Sequence, residues 1–71
     1  MVRLNDVDQE ILREIEDNGR ATPGLLQDVV GVSRTYMSQR ITRLEEHNYI
    51  EEIAPNLYDI TDIGEERINQ I

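Results

Sequence analysis

A mainly α-helical domain with one small β-hairpin is the fold class this sequence predicts, on three observations. Apolar residues recur at helical spacing from Val7 to Ile15 and again from Met37 to Leu44, each run preceded by residues that cap helices. Two short β-prone runs, Tyr49 to Ile53 and Leu57 to Ile60, flank the turn-forming Ala54-Pro55-Asn56. A third helical spacing, Gly64, Ile68 and Ile71, follows Thr61, another capping residue. The length suits one domain over residues 1–71, and a chain of this size buries only about 60% of its unfolded surface, so its core must be small.

Asn5 or Asp6 opens the first helix, which runs to about Asn18, and Asp6 with Gln9 has the spacing of a capping box. Val7, Ile11 and Ile15, joined by Leu4 and Leu12, supply its buried face. Asp8, Glu10, Glu14, Glu16 and Asp17 are expected on the opposite, solvated side. They read as an exposed acidic surface rather than as convergent acid-base groups. Asn18-Gly19 stops this helix, and Arg20-Ala21 forms an extended link, a strand of one or two residues at most.

Thr22 followed by Pro23 marks the start of a second helix, with Leu25, Leu26, Val29 and Val30 as its apolar face. Gly31 ends it, because glycine adopts positive φ without Cβ strain, and Val32 turns toward the core. Ser33 caps a third helix with Met37, Ile41 and Leu44 inward. This pair of helices has the grammar of a helix-turn-helix. The outward face of the third helix is then Arg34, Thr35, Ser38, Gln39 and Thr42, with Arg40 and Arg43 on its flank. The helix continues to His47, which interacts with the helix dipole, and Asn48 takes the left-handed end position. In the hairpin, Ile50, Ile53, Leu57 and Ile60 are expected to face the helices. The last helix is expected over Asp62 to Ile71, with Gly64, Ile68 and Ile71 packing either on the domain itself or on a second copy.

Charge is distributed unevenly along this chain. It carries 15 acidic residues against seven arginines and no lysine, for a net charge of −8 and a pI near 4.4. Yet no acid lies between Val29 and Leu44, while Arg34, Arg40 and Arg43 do. A cationic strip of this kind suits a phosphate-bearing partner, since nucleic acid is held by neutralising its backbone while polar side chains read base edges. Thr22 and Tyr36, with Arg20, Arg40 and Arg43, are the expected phosphate contacts, Arg20 beside the amides that open the second helix. The lysine-free, acidic composition resembles that of proteins from salt-loving archaea. At about 1 M salt the Debye length falls to ~3 Å, so distant acids no longer repel DNA and only the contact face must be clear of them.

Other function classes lack their residues. Without cysteine there is neither a disulfide nor a thiolate site, the single His47 leaves no metal set, and no glycine-rich phosphate loop is present, so neither an enzyme nor a cofactor is expected. No small-molecule site is evident. No run approaches ~18 apolar residues and Met1 to Glu10 lacks a secretory plan, so a membrane partner is not expected and the cytoplasm is the expected location.

Gly31 to Ile41, Leu44-Glu45-Glu46-His47-Asn48-Tyr49-Ile50 and Leu57-Tyr58-Asp59-Ile60-Thr61 together resemble the winged helix-turn-helix family of archaeal and bacterial transcription regulators. The chain looks in particular like the small haloarchaeal proteins grouped with the phage phi-H repressor. The resemblance implies a three-helix core, a wing and a C-terminal helix, and a repressor that binds double-stranded DNA as a homodimer through its first and last helices. It implies Ser33, Arg34, Thr35, Ser38 and Gln39 in the major groove, with Asn56 at the wing tip. The sequence departs from the family pattern with Gln27 where a small alanine is usual, Asn48 for glycine, and a wing bearing Glu51 and Glu52 but no arginine. That acidic wing motivates the alternative, a winged helix that binds protein instead of DNA.

Overall fold

The computed structural model describes residues 3–70. Its order is α1 (Asp6–Asn18), α2 (Pro23–Val30), α3 (Arg34–Glu46), β1 (Ile50–Ala54), β2 (Leu57–Ile60) and α4 (Asp62–Asn69). Three helices surround a core of Ile11, Leu12, Ile15, Leu26, Met37, Ile41 and Leu44, and the hairpin and α4 close it with Ile50, Tyr58 and Ile68. Among the described residues no helix is long and apolar enough to cross a membrane.

Each helix begins at a side-chain cap. Asn5 caps α1 in a reciprocal box, its Oδ1 accepting from the Asp8 amide at 2.8 Å while Asp8 Oδ2 accepts from the Asn5 amide at 3.1 Å. The box therefore pairs Asn5 with Asp8 and not Asp6 with Gln9. Thr22, Ser33 and Thr61 cap α2, α3 and α4 by accepting from Leu25, Tyr36 and Gly64. Gly31 closes α2 at φ 78°, and Asn48 follows α3 at φ 63°, both left-handed as expected.

Several sequence expectations change in the fold. On α2 only Leu26 is fully buried, while Leu25 and Val29 are 46% and 51% exposed. An eight-residue helix wedged between α1 and α3 presents a narrow stripe to them, so the four apolar residues cannot all turn inward. On the hairpin, Ile53 is exposed at a bulge between Glu52 and Ala54, and Tyr58 is the buried residue of β2. Ile50 and Ile53 are three residues apart, so the two-residue alternation of a strand that buries Ile50 already turns Ile53 outward, and the bulge does not restore it to the core. Tyr58 is drawn in by a bridge to Ala21, with amide-to-carbonyl bonds of 2.9 and 2.8 Å, which makes the link before α2 a miniature third strand.

Gly64 and Ile68 of α4 are buried within the same chain, and Ile71 lies outside the described residues. Gly64 faces the Tyr49 backbone. A Cβ there would overlap the Tyr49 carbonyl oxygen and press on Ile60, so the missing side chain admits the backbone entering β1. Thr61 ties the same corner by donating to the Asn48 carbonyl at 2.5 Å.

Candidate nucleic-acid interface

The face of α3 directed away from the core is set by its inward stripe. Met37, Ile41 and Leu44 are buried, so Arg34, Thr35, Ser38, Gln39, Thr42 and Arg43 are exposed by helical geometry. These residues border one open concavity, with Arg40 at its edge and Glu46 at its far end. Glu46 limits the acid-free surface to the first three turns.

Two of the hydroxyls on this surface are already engaged. Ser33 Oγ accepts from the Tyr36 amide at 3.2 Å, and Thr42 Oγ1 donates to the Ser38 carbonyl at 2.9 Å. Ser33 keeps its proton for an outside acceptor, whereas Thr42 presents mainly its methyl group and spare lone pair. Arg34, Thr35, Ser38 and Gln39 stand exposed in the first turns of α3.

A second depression gathers residues that the sequence could only treat separately. Thr22, Pro23 and Gly24 from the start of α2, Arg34 and Ser38 from α3, and Asn56 from the hairpin tip line it together, with no carboxylate among them. Asn56 holds the tip at φ 58°, its amide donating to Glu52 Oε2 at 2.9 Å. That bond folds one wing carboxylate back onto its own turn. A cleft of about 230 Å³ also opens between α2 and α3, lined by Pro23, Gly24, Gln27, Arg34 and Met37. Arg20 is exposed in the link before α2 and is not among the residues lining the depression.

Arg40 and Tyr36, expected as phosphate contacts, are half-buried and engaged within the chain. Arg40 Nε and a terminal nitrogen donate to the two carboxylate oxygens of Asp8 at 2.7 and 2.6 Å. Asp8 is completely buried, contrary to its expected place on the solvated side of α1, and the Arg40 side chain is 22% exposed. Hydrogen bonding to Asp8 raises the Arg40 pKa above its ordinary value, against the opposing pull of burial. The Tyr36 hydroxyl accepts from Asn5 Nδ2 at 3.0 Å, so Asn5, Asp8, Tyr36 and Arg40 form one network joining the start of α1 to α3.

Sequence reading missed Asp8, although a signal was present. Asp8 stands four residues from both Leu4 and Leu12, on the apolar stripe of α1. Arg40 stands three from Met37 and four from Leu44, at the edge of the stripe of α3. Opposite charges on two facing apolar stripes are the mark of a pair that must neutralise itself to be buried.

Residues 4–51 match the winged helix-turn-helix DNA-binding family. Two curated relatives are 41% identical: the Bkd operon transcriptional regulator of Pseudomonas aeruginosa over 51 residues, and the leucine-responsive regulatory protein of Rhizobium meliloti over 49. These alignments cover 72% and 69% of this chain but 33% and 31% of the relatives, so the chain spans about a third of their length. Among solved structures, transcriptional regulator Tm0710 from Thermotoga maritima superposes with a TM-score of 0.85 at 29% identity, over 93% of this chain and 50% of that one. Reduced MarR from E. coli superposes with a TM-score of 0.88 over 97% of this chain and 52% of its own, and at 20% identity it speaks to the fold alone. With the matched segment running from α1 into the hairpin and covering more than half its length, the chain belongs to the winged helix-turn-helix DNA-binding family.

Proposed function

We propose that this domain is a sequence-specific double-stranded DNA-binding transcriptional regulator, acting as a repressor, that inserts α3 into the major groove. One observation carries the reading: Arg34, Thr35, Ser38 and Gln39 are exposed together on the longest stretch of an acidic chain from which carboxylates are missing. Arginine and glutamine supply the paired donors and acceptors that discriminate base edges, and serine and threonine supplement them. Arg43 and Thr22 serve as phosphate contacts on either side, and Arg20 approaches the backbone from the link before α2. Asn56 is the wing's contribution, beside Arg34 and Ser38. Ser33 and Thr42 take lesser parts because each hydroxyl already serves its own helix.

The acidic, lysine-free composition and the resemblance to the phi-H repressor group support a setting of high salt, in the cytoplasm of a halophilic archaeon. A homodimer through α1 and α4 on a palindromic site belongs to the same reading, with Ile63, 55% exposed on α4, as an apolar residue available to it. The test is selection from a randomised duplex pool at molar KCl. Enrichment of a defined sequence is the expected result, and recovery of unselected duplexes by a folded protein refutes sequence reading.

A second reading has its own observation. Leu25 and Val29, one helical turn apart on α2, are exposed apolar side chains, and the wing of the same domain carries Glu51 and Glu52 rather than an arginine, a combination that suits a protein partner. Failure to retain any duplex at reduced salt with the fold intact would favour this reading.

A further inference from the structure

Of the three arginines on α3, two are exposed and one is not available in the same way. Arg40 borders the reading surface, yet both oxygens of Asp8 hold its guanidinium at 2.6 and 2.7 Å from beneath. Asp8 is locked in turn, its Oδ2 accepting from the Asn5 amide and its own amide donating to Asn5 Oδ1. Asn5 also reaches Tyr36 on α3, so the carboxylate cannot swing away without undoing the cap of α1. A cation so matched contributes almost nothing to counterion release, the source of sequence-independent affinity.

We propose that Asp8 is a specificity-determining residue that acts through Arg40, neutralising the arginine nearest the middle of the recognition helix and so withholding one phosphate contact from non-specific binding. The proposal rests on the DNA-reading function above. It makes Asp8 a positioning residue that never touches DNA, and it explains why a buried carboxylate sits under a surface otherwise cleared of acids. The cost is a weaker overall grip. The benefit is that discrimination rests on Arg34, Ser38 and Gln39, with Arg43 the remaining arginine of α3 free to meet the backbone.

The experiment measures affinity against KCl concentration for a duplex selected from a randomised pool and for a scrambled duplex of the same composition, with the intact chain, Asp8→Asn and Arg40→Gln. Releasing Arg40 in Asp8→Asn should steepen the salt dependence on the scrambled duplex by about 0.9 in log K against log salt, the amount for one added phosphate contact. The ratio of selected to scrambled affinity should fall. Arg40→Gln keeps a donor for Asp8 and should leave the slope of the intact chain unchanged. This second variant carries the test if Asp8→Asn does not fold. An unchanged slope in folded Asp8→Asn, or a loss of about 0.9 in Arg40→Gln, overturns the proposal while leaving the DNA reading in place. Failure of the intact chain to bind either duplex removes both.

Discussion

Asp8 and Arg40, separated by 32 residues in the chain, meet in a two-pronged ion pair in which the carboxylate is wholly buried and the guanidinium is partly exposed. Burying either charge alone is costly, and their mutual attraction offsets that cost only while both are present. Arg40→Met is therefore expected to lose roughly 3–5 kcal/mol, and Asp8→Asn combined with Arg40→Met to lose less than the single substitution. Urea denaturation of the two variants checks this. Equal losses would mean that the carboxylate finds solvent or another donor.

Arg34→Ala should reduce discrimination between selected and scrambled duplexes by roughly 1–3 kcal/mol, the worth of a bidentate base contact. Fluorescence titration on both duplexes separates the possibilities. An equal loss on each would assign Arg34 to phosphate instead.

Leu26 and Leu25 are neighbours in sequence with opposite surroundings, one fully buried and the other 46% exposed. Leu26→Ala should cost about 2–5 kcal/mol, whereas Leu25→Ala should change stability by less than ~0.5 kcal/mol. Similar midpoints for the two variants in chemical denaturation would contradict this placement of α2.

Gly64→Ala should destabilise the domain by about 1–3 kcal/mol, because the added methyl collides with the Tyr49 carbonyl oxygen and the backbone there is held by Thr61. A thermal midpoint equal to that of the parent chain would show that the corner opens freely.

The Tyr58 phenol has its pKa raised above the ordinary value of 10.0 by burial and by the nearby charges of Glu52 and Glu45. A folded state that keeps its proton longer than the unfolded chain is stabilised below the unfolded pKa. That stability drains away as pH climbs past about 10 toward the folded value. Tyr58→Phe should lessen the fall in stability above pH 10, measured by denaturant midpoints across the alkaline range, relative to the parent chain.

Local pattern carried much of this domain. Caps at Asn5, Thr22, Ser33 and Thr61, the left-handed ends at Gly31 and Asn48, and the inward residues of α3 all follow from interactions spanning four residues or fewer, which a sequence displays directly. The exposure of Arg34, Thr35, Ser38 and Gln39 was legible for the same reason, since three buried positions on one helix settle which side remains.

What the sequence by itself determined, then, was the order of elements and the direction in which the recognition helix presents its polar side. Only tertiary structure decided that Asp8 lies inside, that Arg40 is held from below, that Ile53 sits on a bulge while Tyr58 is drawn to Ala21, and that Thr22, Arg34, Ser38 and Asn56 share one depression. The reason is physical. Each of these depends on which second element occupies the space beside a residue: a charged side chain is buried only where a partner neutralises it, and which apolar side chains are covered is decided by the element that packs on them.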